Sequence, residues 1–242
     1  MPHANADFMV ISAHPDDAEV QMGGTVVTLV RQGLRGVFVD LCDGEPSDFD
    51  PPGARVEQAR RAATILGVDR IFLDFQDRMI QDTVETRLAV ARVIRQLRPR
   101  LVFSTSAACV HPDHAAMEPI ARAAVFYARL KHWGRVPGGE ALADTEPWEV
   151  ERLFFPHCKM EPAWSDFAFA VDVSDVYDLK RQALAEYRSI FKVDEGDRLL
   201  ELYEAEDAHM GRLVGVRYAE TFRVQSPLLV REPTVFLPGV HA

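Results

Sequence analysis

Residues 8–24, FMVISAHPDDAEVQMGG, are the most informative stretch of the chain. An apolar run predicts a strand, the motif His14-Pro15-Asp16-Asp17 follows it directly, and a helical pattern begins after the motif. A second His-Pro-Asp motif stands far away, at His111-Pro112-Asp113, and continues into His114. Histidine and aspartate at the end of a strand are metal ligands and proton-transfer groups by type. Two copies in a chain with only 8 histidines and 15 prolines are therefore a functional signal.

The composition restricts the class of protein. Hydrophobic residues make up 48% of the 242 residues, which is enough for a buried core. The net charge of -10 argues against nucleic acid or an anionic membrane as the partner. No apolar run is long enough to cross a bilayer, and residues 1–7, MPHANAD, do not resemble a signal peptide. Three widely spaced cysteines favour a reduced, cytoplasmic protein.

Strand-like apolar runs alternate with helical patterns in the first hundred residues or so. The predicted strands cover residues 8–12, 36–41, 70–74 and 100–104, and the predicted helices cover 18–32, 55–66 and 83–97, the first ending at Gly33. This alternation predicts an α/β fold: a single-domain, doubly wound (Rossmann-like), mostly parallel sheet with helices on both faces, over residues 1–242.

The second half of the chain is less regular. A helix is predicted over 115–131, where Pro119 is expected to introduce a kink, and a loop over 137–147. Strands at 151–156 and 168–173 and helices at 175–190 and 197–213 complete the prediction.

Strand order explains how the two motifs can meet. In doubly wound sheets the order is commonly 3-2-1-4-5, so the first and fourth strands are neighbours and ligands bind at their carboxyl ends. The first strand leads into His14 and the fourth leads towards His111. A residue before proline prefers extended backbone, so both histidines should continue the strand direction. Asp16, Asp17 and Asp113 then lie near helix N-termini, where the helix dipole favours an ionised carboxylate.

This set of residues is suited to metal-assisted amide hydrolysis. A catalytic zinc ion usually has three protein ligands, which His14, Asp17 and His114 can supply, and it lowers the pKa of a bound water to about 7. Asp16 is the candidate base for that water. His111 is left to stabilise an oxyanion or to protonate a leaving amine, and Asp113 is left to fix the tautomer of the imidazole.

Other interpretations remain open at this point. A single Asp or His at a strand end is most often a helix cap or a solvated loop residue. His157-Cys158 has no partner pair with zinc spacing, and the glycines at 23–24 do not form a dinucleotide-binding motif. The same crevice would also suit a non-catalytic α/β module that binds a sugar or nucleotide, or a metal hydrolase acting on another amide or on an ester. Phosphoester hydrolases often use two metals, and only one ligand set is evident here.

AHPDDAE at 13–19 and HPDH at 111–114 together resemble the PIG-L (LmbE-like) N-acetylglucosaminyl deacetylases. Further segments that resemble this family are LCDGE (41–45), RVEQARRAATILGV (55–68), FQDRMI (75–80), IRQLRPRLVFS (94–104), VDVSDVYDLKRQAL (171–184) and GRLVGVRYAETF (211–222). The resemblance implies a zinc-dependent enzyme, with one zinc per chain, that removes acetyl from a sugar conjugate.

The resemblance also implies roles for individual residues. The zinc ligands would be His14, Asp17 and His114, and Asp16 the base. His111 and Asp113 would lie on the oxyanion side. Arg55 would bind a sugar hydroxyl, and Arg78 is the candidate contact for a carboxylate on the aglycone.

The pattern is most similar to the branch that acts on N-acetylglucosaminyl malate. Val110 stands where an arginine is usual in that branch, and the missing guanidinium removes a carboxylate donor. Family members often assemble, so a homo-oligomer is expected, with residues 132–150 and the tail 225–242 as candidate interface segments.

Overall fold

A computed structural model describes residues 5–48, 50–105, 111–159, 167–193, 196, 198–229 and 231. The strands are β1 (Phe8–Ser12), β2 (Gly36–Asp40), β3 (Asp69–Phe72), β4 (Leu101–Ser104), β5 (Arg152–Pro156), β6 (Phe169–Asp172) and β7 (Ala219–Val224). The α-helices are α1 (Asp17–Arg31), α2 (Ala54–Leu66), α3 (Val84–Leu97), α4 (Pro112–Arg129), α5 (Glu140–Ala143), α6 (Tyr177–Ala185) and α7 (Arg198–Val214). Short 3-10 helices cover Trp133–Arg135 and Ser174–Val176.

The strands form a seven-stranded sheet in the order β3-β2-β1-β4-β5-β7-β6. The first five strands pair in parallel, and β7 pairs antiparallel with both β5 and β6. The predicted α/β class and the order 3-2-1-4-5 are confirmed. The sheet is mostly parallel because helices connect the first strands, and both of its faces are therefore covered.

Helices cover each face of the sheet. Met9 and Ile11 of β1 pack in a core with α3 and α4, whereas Phe8 and Val10 pack in a second core with α1, α2, α6 and α7. Every residue of β1 and β2 is buried, which explains why both strands are apolar up to their last residues, Ser12 and Asp40. No helix in the part of the chain that the structure describes is long and apolar enough to cross a membrane.

Strand β7 is the main element that the periodicity did not predict. Its sequence, AETFRV, carries a glutamate, yet Glu220 is fully buried. The Glu220 carboxylate accepts hydrogen bonds from the backbone N–H groups of Gly24 and Thr25 and from Lys180 Nζ. Helix α1 is interrupted at Met22, whose φ is -149°. The N–H groups just after this break are not required for hydrogen bonds within the helix, so they donate to Glu220 instead. Glu220 therefore caps the second half of α1.

Smaller differences from the predicted boundaries have local causes. Helix α4 begins at Pro112, earlier than predicted, because His111 caps it and proline is favoured in a first turn. It includes Pro119 and continues to Arg129. The predicted loop at 137–147 contains the short helix α5, and the helix predicted over 175–190 is limited to α6 after a 3-10 turn. Gly33 follows α1 with a φ of 86°, as expected for a terminating glycine.

Candidate active site

The two His-Pro-Asp motifs lie side by side at the carboxyl edge of the sheet. Strands β1 and β4 are parallel neighbours, with Ile11 opposite Ser104, so both chains leave the sheet at the same edge. The ring centroid of His14 lies 4.7 Å from that of His111 and 5.1 Å from that of His114. The strand order therefore does bring the motifs together.

The three side chains predicted to bind zinc present their donor atoms to one another. His14 Nδ1 lies 3.1 Å from His114 Nε2, which lies 3.1 Å from Asp17 Oδ1, and Asp17 Oδ2 lies 3.5 Å from His14 Nδ1. In a tetrahedral zinc site, two ligand atoms bound to the same ion are about 3.3 Å from each other. The residues present therefore fit one divalent ion. His111 is near enough to offer a further nitrogen, since the donor atoms of the three histidines lie within 4.8 Å of one another.

The outer nitrogen of His14 faces two carboxylates. His14 Nε2 lies 3.0 Å from Asp113 Oδ2 and 3.1 Å from Asp77 Oδ1. A carboxylate on the far side of a histidine ring is the usual partner of a metal ligand, because it fixes the ring and its tautomer. Asp77 did not emerge as a site residue from the sequence. The sequence did hold a signal that could have found it: Asp77 follows β3 within a few residues, and β3 ends at the edge of the sheet where the two motifs lie.

Asp113 has a different partner from the one expected. We expected its carboxylate to orient His111, but it contacts His14 and accepts hydrogen bonds from the backbone N–H groups of Arg78 and Ile80. The reason is that the segment after β3 folds over the first turn of α4 and supplies these donors. Towards His111, Asp113 donates its backbone N–H to the Nδ1 atom.

The cluster around His14 is arranged to hold positive charge. Burial lowers the pKa of His14, but hydrogen bonds to Asp17 and Asp77 outweigh it and raise the pKa to about 11. A proton and a divalent cation are stabilised by the same carboxylates, so metal binding here would displace a proton. His111 differs: burial and the positive charge at His14 and His114 lower its pKa, so its ring is neutral at pH 7.

Asp16 is held in a strained conformation beside the ligand cluster. It precedes α1 with a φ of 101°, a region that residues other than glycine rarely adopt. Arg55 Nη2 donates to Asp16 Oδ2 at 2.9 Å and to the carbonyl oxygen of Pro15 at 2.8 Å. Gly44 permits this approach, because a Cβ atom there would lie 3.0 Å from Arg55 Cγ. Burial raises the pKa of Asp16 to about 6, although Arg55 lowers it.

The two arginines predicted to bind substrate differ in their surroundings. Arg55 is only 6% exposed, and its Nε and Nη1 atoms have no hydrogen-bond partner among the described residues. Arg55 lines the cavity, and these two nitrogen atoms are themselves shielded from solvent. Arg78 is exposed, and its Nη2 atom lies 2.7 Å from Asp48 Oδ2 at the rim of the same cavity.

All of these side chains except Asp113 line one cavity of about 390 Å³. Its remaining wall includes Phe191 and Tyr203 and the buried Lys159, whose ammonium group is paired with Asp207. A volume of this order is typical of a small-molecule site. Sequence reasoning missed these residues because they come from the irregular second half of the chain. Val110, the expected departure in the substrate pocket, lies outside the described residues.

A buried charge network supports the first turn of α1. Arg70, on β3, pairs with Glu19 at 2.6 Å and with Asp40 at 2.5 Å, and all three side chains are at most 2% exposed. Tyr187 Oη donates to Glu19 Oε1 at 2.7 Å. Glu19 is two residues from Asp17, so the network fixes the turn that presents Asp16 and Asp17.

Comparison with known proteins gives the family of this chain. Residues 9–125 match the family profile described as "PIG-L: GlcNAc-PI de-N-acetylase". The diacetylchitobiose deacetylase of Thermococcus kodakarensis is 30% identical over 96% of this chain and 83% of that protein. The chain belongs to the PIG-L family. Its fold is shared with the conserved protein TT1542 from Thermus thermophilus, at a TM-score of 0.83 and 36% identity over 98% of this chain and 100% of that one.

Other relatives in the family have different names. A probable N-acetyl-α-D-glucosaminyl L-malate deacetylase 2 of Bacillus anthracis is 28% identical over 63% of this chain and 72% of that protein. A 4-oxalmesaconate hydratase of Pseudomonas putida is also 28% identical, over 73% of this chain and 70% of that protein. The family fold therefore carries both deacetylases and a hydratase.

Proposed function

We propose that this PIG-L family protein is a zinc-dependent deacetylase that hydrolyses the N-acetyl amide of an N-acetylglucosamine conjugate, with one zinc per chain. The observation that carries the proposal is the triangle of donor atoms from His14, Asp17 and His114, with the Asp16 carboxylate beside it. The printed names of the relatives, which include two N-acetyl sugar deacetylases, support the same chemistry.

Asp16 is the proposed general base. Zinc, when bound by the three ligands, supplies a Lewis acid that makes the attacking water more acidic and polarises the amide carbonyl. Asp16 accepts the proton of that water, and its pKa near 6 suits a base that works close to neutral pH. Arg55 holds one oxygen of the carboxylate and thereby fixes its direction. The proton then passes to the nitrogen as the C–N bond breaks, and acetate and a free amine leave.

His111 is the proposed donor to the developing oxyanion. Its Nδ1 atom accepts a hydrogen bond from the backbone N–H of Asp113, so the proton of the neutral ring lies on Nε2. A neutral N–H donor aimed into the cavity stabilises negative charge on the carbonyl oxygen as water attacks. We propose that Asp113 acts through His14, which it touches, rather than through His111.

Arg55 is the proposed contact for a sugar hydroxyl, because it lines the cavity directly beside Asp16. Arg78 is proposed to contact the aglycone at the rim. A substrate carboxylate would have to compete there with Asp48, so Arg78 adds selectivity more than affinity. We further propose that residues 1–242 form one domain, and that the protein is cytoplasmic and forms a homo-oligomer, as its cysteine content and its family suggest.

The test is release of free amine from N-acetylglucosamine conjugates by zinc-loaded protein. Asp16→Asn should keep stoichiometric zinc and lose at least about 100-fold in turnover, the usual contribution of a general base. Asp17→Ala should lose zinc itself. Asp175→Asn, at an exposed position outside the cavity, is the matched control and should keep both. Full turnover by Asp16→Asn would remove Asp16 as the base, and full zinc occupancy in Asp17→Ala would refute the ligand set.

The named hydratase among the relatives supports one other candidate activity, metal-assisted addition of water to an unsaturated carboxylate. The same ligands and base would serve it. A panel that contains both N-acetyl amides and unsaturated dicarboxylates separates the two. If zinc is bound but every compound is inert, another amide or ester becomes the candidate substrate. Ligand binding with no metal uptake would instead indicate a sugar- or nucleotide-binding module.

A further inference from the structure

Tyr203 is a buried phenol on the wall of the catalytic cavity. The residue is only 7% exposed, and it lies in the first half of α7. A buried tyrosine hydroxyl normally has a hydrogen-bond partner, and those of Tyr177, Tyr187 and Tyr218 each donate to a carboxylate. Tyr203 Oη has no partner among the residues that the structure describes. A polar group of this kind at a cavity is a candidate contact for a ligand.

The Tyr203 hydroxyl is open to the catalytic cavity. Among the described residues, the polar atoms that are fully shielded from solvent and lack a partner do not include Tyr203 Oη, so solvent reaches this atom. The cavity that Tyr203 lines is the one that holds the candidate metal ligands. Burial raises the pKa of the phenol, and the negative charges of Asp16, Glu206 and Asp17 raise it further. The hydroxyl therefore keeps its proton and is a hydrogen-bond donor to whatever the cavity binds.

The side chains beside Tyr203 are apolar. Leu199 lies one helical turn earlier on the same face of α7 and lines the same cavity. The ring of Phe191 meets that of Tyr203 edge-on, with centroids 5.9 Å apart and an interplanar angle of 82°. Ile190 also lines this part of the cavity. These four residues form an apolar wall that carries one hydroxyl group.

An apolar wall with one hydroxyl group suits the ring of a sugar. One face of a pyranose ring presents C–H groups, whereas its rim carries hydroxyl groups that need hydrogen-bond partners once they leave water. The reacting amide does not require the phenol, because the proposed mechanism already assigns Asp16 to the attacking water and His111 to the oxyanion. The phenol is thus left for a part of the substrate that does not change during the reaction.

We propose that the apolar wall is the subsite for the sugar ring, and that Tyr203 Oη donates a hydrogen bond to one sugar hydroxyl. The C–H face of the ring packs on Phe191 and Leu199. Tyr203 selects for a sugar that carries this hydroxyl, because an analogue without it leaves a buried donor unpaired. This inference rests on the proposed deacetylase function and adds a residue that determines its specificity.

The experiment uses zinc-loaded protein and the methyl β-glycoside of N-acetylglucosamine, together with its 3-deoxy, 4-deoxy and 6-deoxy analogues. Tyr203→Phe should raise the KM of the parent glycoside about five- to tenfold at unchanged kcat, as expected for loss of one uncharged hydrogen bond that forms before the reaction. Wild-type protein should show the same loss with one deoxy analogue. With that analogue Tyr203→Phe should cause no further loss, a result that a purely structural effect of the substitution would not give.

Tyr218→Phe is the matched control. Tyr218 Oη donates to Glu204, which follows Tyr203 on α7, and Tyr218 does not line the cavity, so this variant alters the same helical turn from outside. It should keep the wild-type KM for every glycoside. Because Tyr203 Oη has no described partner, the midpoint of unfolding in urea should be the same in Tyr203→Phe and in the wild type.

Equilibrium binding of the same glycosides separates this inference from the proposed function. If none is deacetylated, but Tyr203→Phe binds the parent about five- to tenfold more weakly and one deoxy analogue shows no further loss, the subsite stands and the deacetylase proposal fails. If the parent is deacetylated and Tyr203→Phe keeps its KM, the subsite is refuted and the deacetylase proposal stands. Losses that add for all three analogues, a fall in kcat at unchanged KM, or binding of no glycoside would also refute the subsite.

Discussion

Arg70→Met should be among the most destabilising single substitutions in the protein. The Arg70 side chain is 2% exposed and pairs with Glu19 and Asp40, which are both fully buried. Methionine fills much of the same volume but leaves two buried carboxylates without their cation. Breaking a buried ion pair by removing one partner costs about 3–5 kcal/mol. Ser12 and Tyr187 still donate to the two carboxylates, so we expect about 3 kcal/mol, at the lower end.

The measurement is the free energy of unfolding in urea, with a chelator present so that metal binding does not contribute. A loss of about 3 kcal/mol corresponds to a fall in Tm of about 6–12 °C for a chain of this size. Arg60→Met is the matched control. Arg60 pairs with Glu57 on the solvent side of α2, where the two side chains are 61% and 59% exposed, and such a pair contributes under about 1 kcal/mol.

A pH series identifies the mechanism. Burial already raises the pKa of Asp40 with Arg70 present, and loss of the guanidinium should raise it further. A carboxyl whose pKa is higher in the folded than in the unfolded state binds protons preferentially when folded, so the deficit of Arg70→Met should shrink as the pH falls towards 5. Adding Glu19→Gln should likewise recover part of the loss. Equal losses in Arg70→Met and Arg60→Met would refute the reasoning.

Two further predictions follow from the structure. Asp77→Asn removes a carboxylate from His14 Nε2 and should weaken zinc binding about 10–100-fold in a chelator competition. The control Asp82→Asn alters an ion pair with Arg87 outside the cavity and should leave the zinc affinity unchanged. If Asp77→Asn and the wild type bind zinc equally well, Asp77 does not orient His14, and Asp113 is left in that role. Burial lowers the pKa of His157 to about 4, so from pH 6.5 down to 4 only the unfolded state gains this proton and stability falls. Comparing the free energies of unfolding at pH 7 and pH 4, His157→Gln should lose about 2 kcal/mol less than wild type, after allowance for solvent screening, and identical losses would exclude His157 as the cause.

Local sequence patterns predicted the first half of the fold closely. Strand β1 matches its predicted bounds. The ends of the three helices that follow β1, β2 and β3 lie no more than one residue from the predicted ends. These elements are regular, and each has an apolar face with a single period, so residues close in sequence carry the information. Strand β7 lacked this signal because its buried charge, Glu220, is satisfied by groups almost two hundred residues away on α1.

The candidate site was likewise predictable from the sequence only in part. The residue types and the proline-marked strand ends made His14, Asp16, Asp17, His111, Asp113 and His114 the candidates, and the strand order was enough to bring both motifs to one edge. Which carboxylate faces which imidazole could not be read from the motifs. The partner of Asp113 is set by the segment after β3, whose backbone groups hold its carboxylate against His14.

The sequence by itself determined the fold class, the edge of the sheet where the candidate site lies and the types of side chain gathered there, since these depend on periodicity, strand order and side-chain chemistry. Only the tertiary structure decided that Asp77 and Asp113 lie against His14 and that Arg55 holds the carboxylate of Asp16 beside them. These features depend on contacts between segments far apart in the chain. Such contacts form because the two cores fix the helices on the sheet, and no local pattern records them.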